Sequence, residues 1–153
     1  MTSISYINAV TDEICSRLET NREAMGNFSK ILERDQEPSV IADSGVSLPI
    51  IVVLPFANRS DSIRLTMSDS GELYHTFTTT IKGYYAFDDL TDNIRTMRSY
   101  PFTCLDLFRG ANARIESAHV RSASVNPGYF VMIDKPIYKW DVNLNMIMIE
   151  QEG

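Results

Sequence analysis

The feature that most constrains this chain lies between Leu48 and Phe56, read Leu-Pro-Ile-Ile-Val-Val-Leu-Pro-Phe. Ile50 to Leu54 is an unbroken aliphatic run rich in β-branched residues, and the flanking prolines stop it from being read as a helix. Strand geometry sends successive side chains to opposite faces, so such a run has to be covered on both sides. It is far too short for a membrane span, which needs about 18–20 apolar residues. The chain must therefore supply layers that bury this strand from above and below.

The first candidate layer is N-terminal. Ile4, Ile7, Val10, Ile14 and Leu18 recur at spacings of three and four, with Asp12, Glu13, Arg17 and Glu19 between them, which predicts an amphipathic helix with Ser3 as its N-cap. Met25, Phe28, Ile31 and Leu32 continue that rhythm as far as Pro38, with a bend or break expected at Asn21 or Gly26. Glu37 to Ser47 reads as a loop. Past the apolar run, Ile63, Leu65 and Met67 alternate with polar residues, and Asp69-Ser70-Gly71 turns the chain. Leu73 to Phe87 predicts a long strand, with a bulge or bend at Gly83 and enough length to project beyond its neighbours.

Asp88 and Asp89 then mark the start of a second helix through Leu90, Ile94 and Met97. Pro101 is expected to interrupt it, leaving a short second piece with Phe102, Leu105 and Phe108 that ends at Gly110. Strands return in three pieces: Arg114 to Val125, Tyr129 to Ile133 and Ile137 to Ile149, separated by turns at Asn126-Pro127-Gly128 and Asp134-Lys135-Pro136. The expected order is helix, three strands, helix, three strands. That is an α+β fold: an N-terminal amphipathic helix, a mostly antiparallel sheet of about six strands, and a central helix packed on it, in one domain spanning residues 1–153.

Composition narrows the functional classes. Twenty acidic against fourteen basic residues leave a net charge of -6, and the basic residues are scattered, which argues against gripping phosphates in a sequence-specific manner. Cys15 and Cys104 form no CxxC unit, so neither a disulfide framework nor a zinc site is expected, and no apolar N-terminal leader is seen. Phosphate-loop, dinucleotide, serine-hydrolase, metalloprotease and calcium-loop motifs are all absent, and no cofactor or metal is expected. A nucleophile built from Cys104 with His75 or His119 is weighed against burial of Cys104 between Phe102 and Leu105, and burial is preferred. Asp88 and Asp89 are read as complements to a helix dipole, not as metal ligands.

Binding is the better expectation. Thr76, Thr78, Thr80, Tyr84 and Tyr85 on the long strand, with Tyr138 and Trp140 near the last turn, combine sheet-forming residues with aromatic anchors and are the candidate subunit interface. The segment from Ile115 to Glu150, IESAHVRSASVNPGYFVMIDKPIYKWDVNLNMIMIE, and the opening Ile4 to Val10, ISYINAV, resemble the tail terminator, or tail completion, proteins of long-tailed bacteriophages. The resemblance covers most of the chain as an order of elements. It implies a virion protein forming a closed ring, usually a hexamer, at the head-proximal end of the tail tube. Its partners would be the tail tube protein and the head-tail connector, with DNA passing through the lumen without sequence-specific binding, in a particle assembled in the host cytoplasm with no membrane. A neighbouring connector or head-closure protein is the alternative of the same class. A small enzyme or ligand-binding domain using His75, Cys104 and Tyr85 is the alternative from a different class.

One outcome follows from the apolar run alone. Val53→Asp should lower the melting temperature by about 10 °C or more, because an unpaired charge in a strand covered on both faces costs several kcal/mol. Thermal denaturation followed by circular dichroism checks it.

Overall fold

A computed structural model describes residues 3–37, 48–55, 64–67, 72–87, 93–132 and 136–151. The elements are α1 (Ser3–Thr20), β1 (Lys30–Glu33), β2 (Ile50–Leu54), β3 (Arg64–Met67), β4 (Glu72–Ala86), α2 (Ile94–Asp106), β5 (Arg114–Ile115), β6 (Ala118–Met132) and β7 (Pro136–Gln151). The strands make one sheet in the order β1-β2-β4-β7-β6-β5, with β3 also paired to β4. The fold is α+β, and every pairing is antiparallel except that of β1 with β2.

The centre of the sheet is the pairing of β4 with β7, unbroken from Glu72 opposite Gln151 to Ala86 opposite Ile137. β7 occupies one edge of β4 over its whole length. The other edge is shared, by β3 against Leu73 to Thr76 and by β2 against Thr80 to Tyr84. β4 is therefore an interior strand and does not project beyond its neighbours, contrary to the expectation from its length. Gly83 makes no bulge either. It sits opposite Trp140, and a Cβ there would fall inside the indole ring. The glycine leaves room for an aromatic side chain to lie flat on the neighbouring backbone. Tyr138 covers Gly128 of β6 in the same manner.

Alternation fixes the two faces. One carries Phe77, Ile81 and Tyr85 of β4, with Tyr138, Trp140, Val142, Leu144, Met146 and Met148 of β7, and both helices cover it. Ile7, Val10, Ile14 and Leu18 of α1 are at most 1% exposed, each contributing about 1.5–3 kcal/mol by burial. The other face buries a smaller cluster of Ile50, Val52, Leu54, Tyr84 and Ile137 at the β2 end. The aliphatic run is thus fully buried on both faces, as its composition requires.

Arg17 ties the helical layer together. Its guanidinium pairs with Glu13 at 3.0 Å and donates to the carbonyls of Leu107 at 3.0 Å, Asn112 at 2.7 Å and Arg114 at 2.7 Å. It also lies over the Phe108 ring, 5.7 Å from the centroid. One rigid fork of donors so satisfies carbonyls left over after α2 and at the start of β5.

Four local expectations are corrected. The helical rhythm after Gly26 is not a helix: a short 3-10 turn at Glu23–Met25 ends in Gly26 and Asn27, both at positive φ, and Lys30–Glu33 then pairs in parallel with β2. α2 begins at Ile94 with Asn93 as cap, its side chain accepting from Arg95 N–H at 2.9 Å; Asp88, Asp89 and Leu90 lie outside the described residues. Pro101 does not interrupt α2, because its ring is buried with Met97 and Cys104 on the inward face, leaving Phe102 outward and 50% exposed. Asn126-Pro127-Gly128 is not a turn but a bulge within a continuous β6. The predicted turns at Asp69-Ser70-Gly71 and the loop beyond Glu37 fall outside the described residues.

Gly83→Ala should cost about 1–3 kcal/mol, the range for overpacking a filled core. Combined with Trp140→Leu, the loss should be smaller than the sum of the two single losses, since the clash is then gone. Urea denaturation of the two single variants and the double variant measures this coupling.

Candidate assembly interface

The residues nominated from sequence separate into three groups. Tyr85, Tyr138 and Trp140 lie on the helix-covered face at 3%, 1% and 0% exposure, so they are interior to the subunit and present no surface to a partner. Tyr85 donates its hydroxyl to the Met25 carbonyl at 2.8 Å and stacks on Tyr100 with centroids 4.9 Å apart. Tyr84 points to the opposite face and is buried in the smaller cluster. Thr76, Thr78 and Thr80 share that opposite face, where Thr80 is buried and the other two are half-buried.

These threonines belong to a neutral polar ladder across three strands. Thr78 donates to Asn145 at 2.8 Å and Thr80 to Asn143 at 2.5 Å. Asn145 and Asn143 donate in turn to Ser122 at 2.9 Å and Ser124 at 3.2 Å. Cross-strand polar pairs of this kind stabilise a sheet face that is open to water.

The same face carries an ionic cluster toward its β2 end. Glu37 accepts from the Tyr84 hydroxyl and from the Lys139 ammonium, and lies 3.3 Å from Lys82, which also stands 3.4 Å from Asp141. Burial works to raise the Glu37 carboxyl, but the hydrogen bonds from Lys139 and Tyr84 and the charge of Lys82 outweigh it and hold the group at about 2. The acids and lysines balance, so the cluster fastens Glu37 to the sheet.

Of the nucleophile candidates, Cys104 and His119 lie on different faces of the sheet. Cys104 is fully buried in the helix-covered core, where burial pushes its thiol far above the ordinary range. His119 is exposed and sits opposite Ile147, on the face away from α2. His75 lies within β4, between Leu65 and Met148 in register. Among the described residues no group of three His, Cys, Asp or Glu converges to hold a metal ion, and no helix is long and apolar enough to cross a membrane.

What the sheet leaves open is the outer edge of β6. β7 pairs with β6 from Met132 back to Ala118, whereas β5 covers the opposite side only at His119 and Ala118. Val120 N–H still reaches the Ala113 carbonyl at 2.8 Å. From position 121 to 132 no strand among the described residues pairs with that edge. Arg121, Ser122, Ala123, Ser124, Asn126 and Pro127 are exposed along it. Two register shifts, one at Arg121 and one at Pro127-Gly128, bend the strand, and a proline is tolerated there because an edge strand does not need that N–H for its ladder. α2 packs mainly over β6, and Phe102 on its outward side is exposed.

An unpaired row of backbone donors and acceptors is a template for another strand. Sequence reasoning placed the interface on β4 because β4 is long and aromatic. The signal for β6 was Pro127 between two strand-like runs, which marks an edge strand as readily as a turn.

A pH dependence follows from the ionic cluster. Because Glu37 titrates lower in the folded chain than in the unfolded one, its contribution is present above about pH 4.5 and is lost as pH falls toward about 2. Glu37→Gln should therefore lower the melting temperature at pH 7 and narrow its deficit against the unsubstituted chain at pH 2.5, measured by calorimetry at both values. No protein-family model matches the chain, and no curated protein matches it.

Proposed function

We propose that this chain is a virion structural protein that forms a ring at the head-proximal end of a phage tail tube. There it ends tail polymerisation and joins the tail to the head connector, leaving a channel for DNA. The observation that carries the reading is the open edge of β6, together with exposed Phe102 on α2, on a sheet whose other long strands are paired within the subunit. Closed rings are built from repeated contacts between identical chains, and an open edge strand is a surface on which such contacts form. The resemblance of the segment from Ile115 to Glu150 and of the opening helix to tail terminator proteins supplies the place in the particle.

The neutral Thr, Asn and Ser ladder gives this reading a surface for the channel, since it offers hydrogen bonds without the positive charge that would hold a phosphate backbone. Of the residues named for the enzyme reading, Cys104 and Tyr85 are buried in the core.

The test is genetic and visual. In the phage that carries this gene, a stop codon early in the reading frame should yield tails of uncontrolled length that are not joined to heads, seen by negative-stain electron microscopy. Tails of normal length beside heads that have lost their DNA would point to the connector instead. Particles with normal joined tails would overturn both.

A further inference from the structure

The open edge of β6 is matched to itself in charge and in the faces of its residues. Ser122 to Met132 contains no charged residue, in a chain that is 22% charged. Open edges in native sheets are guarded by lysine, proline or a bulge. On β6 the guards stand on either side of a regular stretch, one bulge at Arg121 and the other at Pro127-Gly128. Between them the strand keeps unbroken register with β7, from Ser122 opposite Asn145 to Asn126 opposite Asp141. Ser122, Ala123, Ser124 and Asn126 are exposed there, and Val125 is half-buried.

The register assigns each of these five residues to a face. Ser122, Ser124 and Asn126 lie on the side of the polar ladder, and Ala123 and Val125 on the side of the helices, where Val125 packs against the core. The ladder also has a direction. Thr78 donates to Asn145 and Asn145 to Ser122, while Thr80 donates to Asn143 and Asn143 to Ser124. Each relay therefore ends at the open edge on a serine that accepts, and whose own hydroxyl proton has no acceptor among the described residues.

We propose that two copies of this chain pair antiparallel through Ser122 to Asn126, about a two-fold axis at Ser124, so that one sheet runs through both. In that register Ser124 faces Ser124 of the other copy, Ser122 faces Asn126, and Ala123 faces Val125. Polar residues meet on the ladder side and apolar residues on the helix side. The spare serine protons gain acceptors, on the opposite serine and on the side-chain carbonyl of Asn126. A shift by one residue would set serine against valine and turn the two helical layers to opposite sides. The nearest charges along the strand, Arg121 of each copy, stand three positions from the axis on either side. They are therefore about 20 Å apart, beyond the screening length of about 8 Å at physiological salt. A two-fold contact closes on itself, so a paired subunit cannot offer the same edge to the next member of a ring, and the dimer keeps that edge covered until assembly exchanges one partner for another. The proposal deepens the ring reading by naming what covers its edge in the free chain; it rests on that reading only for this role, and its test uses no tail component.

Substitution at the axis carries the test, because there a side chain meets its own copy. Ser124 is exposed, so Ser124→Lys and Ser124→Asp should leave circular dichroism unchanged. Sedimentation of the full chain at low salt should show a dimer for the unsubstituted protein. Either variant alone should dimerise about tenfold more weakly, since two like charges then stand about 5 Å apart, and an equimolar mixture of the two should recover the dimer. Mixing opposite charges at one position restores no contact between two different surfaces, so recovery is particular to a two-fold axis. Ser124→Cys should also give a disulfide-linked dimer on mild oxidation, because Cα atoms directly opposite in an antiparallel pair lie about 4.5–5.5 Å apart. Ser122→Cys should not, its counterpart being about 14 Å away. The unsubstituted chain, with Cys15 and Cys104, is the control in the same oxidant. A monomeric unsubstituted chain, variants that dimerise as tightly as it does, a mixture no tighter than either variant alone, or a link at Ser122→Cys as fast as at Ser124→Cys would overturn the pairing. Hexamers indifferent to Ser124 would remove it and leave the ring reading standing. A dimer that depends on Ser124, from a chain that proves dispensable for tails, would do the reverse.

Discussion

Everything else in the molecule is arranged around the uninterrupted antiparallel register of β4 with β7. A one-residue slip of β7 would exchange its two faces relative to β4, sending Trp140, Val142 and Leu144 to the side of the threonines and the asparagines into the core. Register is therefore enforced by burial, and also by shape. Trp140 needs the absent side chain of Gly83, and Tyr138 needs that of Gly128, so β7 is keyed to the strand on either side of it. With that registration set, the covered face, the polar ladder and the open side of β6 follow without further choice.

The helical layer depends on a different kind of contact. α1 brings aliphatic side chains to the sheet, but its position relative to α2 and β5 is set by Arg17, whose donors reach three carbonyls that have no other partner in regular structure. Such hydrogen bonds to a charged group are worth more than neutral ones, and the carbonyls would be costly to leave unmet. A hydrophobic stripe says that a helix packs; a guanidinium fork of this kind says where it stops.

Much of the fold could be read from the residues, for reasons tied to range. The stripe Ile7, Val10, Ile14 and Leu18, the aliphatic run of β2 and the alternation of β7 are local periodicities, and each marks its own element. β1 was hidden because Met25, Phe28, Ile31 and Leu32 fit a helical spacing, while the decision rests on Gly26 and Asn27 at positive φ and on pairing with the distant β2. Asn126-Pro127-Gly128 has the composition of a turn, and only the continuous partner strand makes it a bulge. Alternation likewise shows which aromatic residues share a face but not which face the helices cover. Tyr85, Tyr138 and Trp140 were thus nominated for an interface they do not reach, and the candidate margin on β6 was overlooked.

The position of β7 has a bearing on how the chain acquires its structure during synthesis. Its two neighbours are β4 and β6, so the middle of the sheet is supplied by the strand that comes last in chain order among those described. Until then β4 has only β2 and β3 for strand partners, and β6 has only the short β5. Contacts that join segments some sixty residues apart must also pay their loop-closure entropy before they yield any gain. Strands β2 to β6 consequently emerge before the strand that joins them, and the sheet should form cooperatively once β7 is available.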